Sequence, residues 1–145
     1  EQAVCVEQMT AKACRKELQK IRETIGTVTE EPGVFFRIPG GEYNNEVLRT
    51  IYACGSYPVA WSVDSMDWKE YEASELVRQL LQSCTIRDGE ILRFHGEGEN
   101  TGEMVKLLHP RLKEEGYEAV TVSQMVYKDR YRMTTDGRQI PEKSK

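Results

Sequence analysis

The sequence predicts an α/β fold in which roughly four short parallel strands alternate with helices. Short apolar runs alternate along the chain with longer segments that carry apolar residues at three- and four-residue spacing. This order is typical of right-handed β/α units, whose helices cover a parallel sheet. The chain has 145 residues, whereas a complete eight-stranded (β/α) barrel takes about 250. The pattern therefore predicts half of a barrel, or a small open sheet.

Four segments have the apolar spacing of amphipathic helices. They cover residues 8–25, 45–55, 73–81 and 103–115. Asn44 or Asn45 can cap the second helix and Thr101 can cap the fourth, because these side chains accept hydrogen bonds from the first free backbone N–H groups. Gly26 and Gly116 follow the first and fourth segments, as glycines do where helices end.

Four apolar runs predict the strands, at residues 33–36, 57–63, 90–94 and 117–122. Pro58 stands near the start of the second run, where a missing N–H does least harm. A short final turn capped by Ser123 follows the fourth run. We expect one domain over residues 1–127 and an irregular or partly ordered tail over residues 128–145, with six basic and three acidic residues.

The composition excludes several classes of function. The chain carries 20 Lys and Arg against 24 Asp and Glu, a net charge of -4, so we expect no nucleic-acid partner, which a basic face would indicate. No run approaches the roughly 18 apolar residues of a membrane-spanning helix. The sequence begins at Glu1 rather than Met, which suggests a processed or excerpted product whose upstream part could have held a targeting signal.

The four cysteines argue against a thiolate metal site. Cys5, Cys14, Cys54 and Cys84 are widely spaced and include no C-x-x-C pair, whereas zinc sites use closer pairs. We expect buried or partly buried free thiols, and the spacing leaves a disulfide open.

Charged and polar side chains follow three successive predicted strands. Arg37 follows the first, Asp64 and Asp67 follow the second, and His95 follows the third. Active sites of β/α folds form at the carboxyl ends of strands, since the strands hold side chains rigidly there. Each residue has a simpler interpretation, because Arg37 can pair with a surface carboxylate and Asp64 can cap its loop. Three such positions in a row favour a functional site.

The segments that carry these residues resemble a known family. Residues 36–41 (Phe-Arg-Ile-Pro-Gly-Gly), 61–68 (Trp-Ser-Val-Asp-Ser-Met-Asp-Trp) and 91–95 (Ile-Leu-Arg-Phe-His) resemble the third, fourth and fifth motifs of the polysaccharide deacetylases, carbohydrate esterase family four. The similarity runs from about residue 8 to residue 126. It implies a metal-dependent hydrolase that removes N- or O-linked acetyl groups from an acetylated glycan such as chitin, peptidoglycan or xylan. It also implies a distorted (β/α) barrel, of which this chain forms about half, and an extracellular or cell-envelope setting.

The resemblance assigns roles to individual residues. Arg37 would orient the carboxylate that serves as general base, and Pro39 would fix the turn that follows beside the substrate. The backbone N–H of Gly40 would bind the developing oxyanion. His95 would be the general acid, and Asp67 would orient it by accepting from a ring nitrogen.

Two tryptophans lie in or shortly after the second predicted strand. Trp61 would wall the pocket for the acetyl methyl group or the sugar face, as the resemblance implies. Both Trp61 and Trp68 are large apolar residues beside a strand, so packing in the core is the simpler expectation for each.

The chain also departs from the family pattern. Gly40 stands where a tyrosine is usual, Arg93 replaces a leucine that lines the acetyl pocket, and Gly96 replaces an aspartate. Arg93 either turns outward or brings a charge into the pocket. His109 matches no motif, and we expect it to be structural or exposed.

The family's first two motifs are not in this chain. They supply the general base, a metal-ligating aspartate and two metal-ligating histidines, whereas His95 and His109 are the two histidines here. We therefore expect a divalent metal, zinc or a cobalt-like ion, in the complete domain and none held by these residues. We expect the parent domain to be a carbohydrate deacetylase and this chain alone to be inactive.

Two alternatives remain open at this point. The chain could be a non-catalytic glycan-binding or scaffold module that uses Trp61 and the strand-end pocket. It could also be a half-domain that another chain completes, either the missing amino-terminal half or a second copy, because an incomplete sheet leaves strand edges unpaired.

Overall fold

The structure, a computed structural model, describes residues 10–28, 34–96 and 98–142. The chain divides into two compact units, Glu1–Trp61 and Ser62–Lys145. Parts of some predictions lie outside the described residues, namely the starts of the first helix and first strand at Gln8 and Gly33, Cys5, and residues 143–145. No helix in the described ranges is both long enough and apolar enough to cross a membrane.

The first unit contains two helices and one pair of strands. The elements in chain order are α1 (Ala11–Gly26), β1 (Phe35–Phe36), a 3-10 turn (Pro39–Gly41), α2 (Asn45–Ala53) and β2 (Tyr57–Pro58). Thr10 accepts from the N–H of Ala13 at 3.3 Å, and Asn44 accepts from the N–H of Val47 at 2.9 Å. These side chains satisfy N–H groups that have no partner within the helix, so each helix begins where its cap stands.

The strands β1 and β2 pair in parallel, with Phe35 opposite Tyr57 and Phe36 opposite Pro58. The core of this unit is apolar and is formed by Cys14, Leu18, Ile38, Val47 and Ile51. Because parallel strands end at the same edge, Arg37 leaves β1 at the carboxyl edge of this pair, as predicted.

The second unit carries the remaining elements. They are β3 (Val63–Asp64), α3 (Ala73–Ser83), β4 (Leu92–Arg93), α4 (Thr101–Glu114), α5 (Val122–Met125), β5 (Tyr131–Met133) and β6 (Gln139–Pro141). The strands β3 and β4 are parallel, with Val63 opposite Leu92 and Asp64 opposite Arg93. Two helices cover this pair through the buried residues Val63, Ala73, Leu76, Val77, Leu80, Met104 and Leu108.

The predicted strand over residues 57–63 is divided in the structure. Its first part forms β2 and pairs with β1, whereas its last part forms β3 and pairs with β4. The N–H of Val59 still bonds to the carbonyl of Phe36 at 2.9 Å, but the N–H groups of Ser62 and Val63 both bond to Ile91. The chain changes its pairing partner between these positions, so one apolar run supplies two strands.

The fourth predicted strand, over residues 117–122, is wrong. Thr121 accepts from the first turn of α5, and its own N–H donates to Gln124 Oε1 at 2.9 Å, which forms a capping box. The cap satisfies the backbone groups that a strand would offer to a neighbour, so the chain begins a helix there. Thr121, rather than the predicted Ser123, is the cap. The described parallel strands therefore form two pairs instead of one four-stranded sheet.

Part of the predicted irregular tail is an antiparallel hairpin. The strands β5 and β6 place Tyr131 opposite Pro141 and Met133 opposite Gln139. Arg138 Nη2 lies 2.9 Å from Glu90 Oε1, and Glu90 is almost buried. Because polar contacts hold this segment in place, the hairpin could not be predicted from its apolar content, which is low.

Candidate active site

The side chains of Asp64 and His95 meet at the carboxyl ends of β3 and β4. His95 Nε2 lies 3.0 Å from Asp64 Oδ1, and both side chains are about one-fifth exposed, at 21% and 22%. The pairing register brings them together, because Asp64 stands opposite Arg93 and His95 follows two residues later on the same strand face. A carboxylate in this position can fix the ring orientation and favour the imidazolium.

Asp64 is held as a carboxylate by its surroundings. Burial alone would raise the pKa of Asp64, but the N–H of Met66, the His95 ring and the charge of Arg93 outweigh it and lower that pKa. The Met66 N–H bonds to Oδ1 at 3.0 Å. Arg93 Nη1 lies 3.7 Å from the other oxygen, Oδ2. Asp64 is thus charged at neutral pH and is shared by a backbone amide, an imidazole and a guanidinium.

Asp67 takes a different position from the predicted one. It is 1% exposed, and it accepts from the backbone N–H of His95 at 2.9 Å and of Gly96 at 3.3 Å. It also accepts from the hydroxyl groups of Ser65 and Thr101. Burial opposes its charge, but these donors, with Thr101 the strongest, lower the pKa of Asp67 to about 2. Asp67 therefore fixes the backbone at His95.

The predicted contact between Asp67 and the His95 ring is therefore wrong, and Asp64 makes that contact. Asp64 lies on β3 itself, directly across from β4, so its side chain leaves the strand beside the ring. Met66 follows with a φ of 54°, in the left-handed region, and turns the chain before Asp67. Asp64 also accepts from the Met66 N–H, so the expected loop-capping role is present in addition.

Trp68, for which the sequence predicted packing in the core, lies beside His95 instead. Its ring meets the His95 ring edge to face, with centroids 6.3 Å apart and an interplanar angle of 70°. Trp68 is 55% exposed rather than buried in the core, and Lys69 Nζ lies 5.9 Å from its ring centroid. An exposed aromatic ring beside the imidazole offers a surface on which a sugar can pack.

The loop after His95 approaches the backbone of Asp67 closely. A Cβ atom at Gly98 would collide with the carbonyl oxygen of Asp67, so the position requires glycine. Asn100 Nδ2 donates to the carbonyl of Tyr71 at 2.7 Å. These contacts tie the loop to the segment that carries Asp67. Glu97, in the same loop, lies outside the described residues.

The other predicted site residues belong to the first unit. Arg37 is exposed, and its Cζ lies 5.8 Å from the ring centroid of Trp61. A Cβ at Gly41 would lie 2.6 Å from Trp61 Cη2, so the ring packs directly on this glycine. Gly40 is exposed with a φ of 76°, and Pro39 begins the 3-10 turn that contains both glycines. That Arg37 and His95 serve one site stays a prediction.

The described residues do not fit a divalent metal. No group of three or more His, Cys, Asp and Glu side chains within the described ranges could hold an ion. His95 and Asp64 are already engaged with each other. Cys14, Cys54 and Cys84 are free thiols, with Cys14 buried and the other two partly buried.

Comparison with known proteins gives the family. No protein-family model matches the chain. The chain is 30% identical over 121 residues to the peptidoglycan-N-acetylglucosamine deacetylase PgdA of Listeria monocytogenes. The aligned region covers 81% of this chain and 25% of that protein. It is 32% identical over 102 residues to a peptidoglycan-N-acetylglucosamine deacetylase of Bacillus cereus, which covers 67% of this chain and 46% of that protein.

This chain belongs to the polysaccharide deacetylases of carbohydrate esterase family four. The resemblance inferred from the three motifs is thereby confirmed. The structure of this deacetylase-family chain also matches that of a family-four pseudoenzyme from Bacillus anthracis. The TM-score is 0.75 at 25% identity, over 82% of this chain and 41% of that one. The chain spans between one-quarter and one-half of the length of these curated relatives, and its fold corresponds to part of a deacetylase barrel.

Proposed function

We propose that this chain supplies the proton-donating part of a polysaccharide deacetylase site, with His95 as the general acid and Asp64 as the carboxylate that orients it. The 3.0 Å contact between the His95 ring and Asp64 is the observation that carries the proposal. Family membership supports the reaction class, which is hydrolysis of an acetyl group. In this assignment Asp64 takes the orienting role that the motif resemblance implies for Asp67.

The chemistry follows from the way the ring is held. When an acetamide is hydrolysed, the departing nitrogen needs a proton, because an amide anion is a poor leaving group. Asp64 engages Nε2 of His95, which leaves Nδ1 as the nitrogen that would deliver the proton. The adjacent carboxylate stabilises the imidazolium that donates this proton, and His95 is left as neutral imidazole after the transfer. Asp67 would serve by fixing the backbone at His95.

Further roles are proposed for residues that the motif resemblance singled out. Arg37 would orient the general base, and the N–H of Gly40 would donate to the oxyanion. Trp61 would wall the pocket; its ring packs on Gly41, and Arg37 Cζ lies 5.8 Å from its centroid. Pro39 would set the turn that presents Gly40.

The base and the metal of this proposed site would come from outside these 145 residues. The described residues do not form a metal site, and we derive no step through one. The complete domain would hold a zinc or cobalt-like divalent ion, as the family resemblance implies. This chain alone would therefore release no acetate.

The proposed substrate is an acetylated glycan. Two curated relatives are named for N-acetylglucosamine deacetylation of peptidoglycan, which favours an N-acetylated amino sugar and an extracellular or cell-envelope setting. The exposed ring of Trp68 beside His95 supports a sugar substrate, because flat aromatic surfaces pack against sugar rings.

A chimera tests this function. This chain would replace the segment that matches it in the Bacillus cereus relative, and acetate release from an N-acetylated chito-oligosaccharide would be measured with added zinc or cobalt. We expect release by the chimera and none by the 145-residue chain alone. Turnover by the isolated chain, with no other polypeptide detected by mass, would show that other residues perform the reaction.

A non-catalytic role is the second candidate, and one observation favours it. A structurally similar protein, the one from Bacillus anthracis, is described as a pseudoenzyme. In that case the chimera would bind the oligosaccharide without releasing acetate, and binding would depend on Trp68 or Trp61. Measuring binding and release on the same sample separates the two candidates.

A further inference from the structure

We propose that Arg93 competes with His95 for Asp64, and thereby limits how firmly Asp64 holds the protonated form of His95. Arg93 is in this sense a positioning residue, which acts on the proposed general acid through a shared carboxylate. The inference rests on the proposed function for its catalytic meaning, but not for its test. The sequence left open whether Arg93 turns outward or brings a charge into the pocket. In the structure Arg93 turns towards Asp64.

The geometry of the three side chains supports competition. Asp64 and Arg93 are directly opposite each other in the parallel pair. Arg93 Nη1 lies 3.7 Å from Oδ2, and His95 Nε2 lies 3.0 Å from Oδ1. The side chains of Arg93 and Asp64 are 24% and 22% exposed, so water screens their charges only in part. The Asp64 carboxylate therefore interacts with two cations, Arg93 and His95, whenever His95 is protonated.

The other charged groups around His95 stay fixed while it titrates. Asp67 binds the His95 backbone N–H, and with a pKa of about 2 it remains ionised above pH 4. Asp64 also remains ionised, because its pKa is lowered. Arg93 is always charged. Lys69 lies over Trp68, whose ring meets His95, and a lysine is also cationic at neutral pH. Because these charges are constant, a change in the protonation of His95 in an Arg93 variant can be attributed to Arg93.

The sign of each effect follows from electrostatics. A nearby cation disfavours the imidazolium, and a nearby carboxylate favours it. Removing the charge of Arg93 should move the protonation midpoint of His95 to higher pH. Removing the charge of Asp64 should move it to lower pH. For the proposed enzyme, Arg93 would then weaken the interaction between Asp64 and the protonated general acid.

Nuclear magnetic resonance of the full 145-residue chain tests the inference without metal or substrate. The chain contains two histidines, so the ring C–H resonances of His95 can be followed against pH, with the exposed His109 as an internal reference. His109→Gln assigns the two signals. Arg93→Met removes the charge, and Arg93→Lys keeps it. Asp64→Asn neutralises the shared carboxylate. Arg87→Met removes an exposed arginine before β4 and is the matched control.

We expect the His95 midpoint to rise in Arg93→Met, to stay near the wild-type value in Arg93→Lys and Arg87→Met, and to fall in Asp64→Asn. The His109 midpoint should be constant throughout. If Arg93→Met does not fold, as judged by loss of spectral dispersion, Arg93→Gln carries the same expectation.

Three results would overturn the inference. If Arg93→Met leaves His95 unmoved while Asp64→Asn lowers its midpoint, the role of Arg93 fails but the Asp64–His95 pair of the proposed function stands. If Arg93→Lys shifts His95 as much as Arg93→Met does, the charge of Arg93 is not the cause. If no variant moves His95, the pair itself is refuted.

Discussion

Asp64 and His95 meet across two parallel strands, with 3.0 Å between Oδ1 and Nε2. The contact depends on register, because Asp64 ends β3 opposite Arg93 and His95 follows Arg93 by two residues. A shift of β4 by one residue would turn the imidazole to the other face of the pair. The backbone contacts from Asp67 to His95 and Gly96 hold the chain in this register.

The first prediction concerns the tautomer of His95. Asp64 Oδ1 accepts a hydrogen bond from Nε2 of His95. Neutral His95 should therefore carry its proton on Nε2, and Nδ1 should be unprotonated. Nitrogen-15 shifts of the two ring nitrogens in the 145-residue chain measure this directly. Asp64→Ala should give a mixture of tautomers, while His109 should not change. A proton on Nδ1 in the wild-type chain would contradict the arrangement.

Asp67→Asn should destabilise the fold. The folded-state pKa of about 2 lies below the ordinary value of 3.8, so the ionised side chain stabilises the fold above pH 4, and this contribution is lost as the pH falls towards 2. We expect a loss of roughly 2–3 kcal/mol in the free energy of unfolding at pH 7, because hydrogen bonds to a buried carboxylate are replaced by weaker ones to a neutral amide.

Urea unfolding at pH 7 and at pH 2 provides the measurement for Asp67. The difference between Asp67→Asn and wild type should be large at pH 7 and should shrink at pH 2. Asp129→Asn is the control, since Asp129 is exposed. An equal difference at both pH values would mean that the charge of Asp67 does not stabilise the fold.

Gly98→Ala and Gly102→Ala should have opposite effects. The added methyl group at position 98 would meet the carbonyl oxygen of Asp67, whereas nothing lies within 4 Å of it at position 102, in α4. We expect Gly98→Ala to lower the free energy of unfolding by about 1–3 kcal/mol, because the added methyl group overpacks the site. Gly102→Ala should raise the free energy of unfolding by up to about 1 kcal/mol, because alanine has the higher helix propensity. Thermal unfolding of both variants checks this, and equal melting temperatures would show that the loop does not approach Asp67 closely.

Gly41→Ala should displace Trp61, whereas Gly40→Ala should not. Both glycines have positive φ, at 83° and 76°, so alanine costs about 1–2 kcal/mol of backbone strain at either position. Only at Gly41 would the methyl group also meet the Trp61 ring, at 2.6 Å. Fluorescence in a Trp68→Phe background reports Trp61 alone. Its emission should shift in Gly41→Ala and stay constant in Gly40→Ala, and a shift in both would assign the effect to the backbone turn.

The helices could be predicted from sequence because their signals are local. The apolar spacing over residues 73–81 gave α3, which the structure extends to Ser83. Two further local signals were present but were not used. Thr121 and Gln124 have the spacing of a capping box, and Asp136 and Gly137 form a turn pair of the kind that joins hairpin strands.

The strand pairing could not be predicted in the same way, because pairing joins residues that are distant in sequence. Pro58 and Val63 lie in one apolar run but pair with different strands. Asp64 and Asp67 are both carboxylates three residues apart, and only the register with β4 shows which one faces the His95 ring. The motif resemblance predicted that Asp67 contacts the His95 ring, whereas in the structure Asp64 makes that contact.

The most direct test of the central claim compares the two histidines in the chimera that contains this chain. His95→Ala should lower kcat for acetate release by about 10²–10⁴-fold, the range that general acid–base residues contribute. His109→Ala should leave kcat unchanged, since His109 is exposed on α4. Wild-type turnover in His95→Ala, with the zinc or cobalt content unchanged, would contradict the assignment of His95 as the general acid.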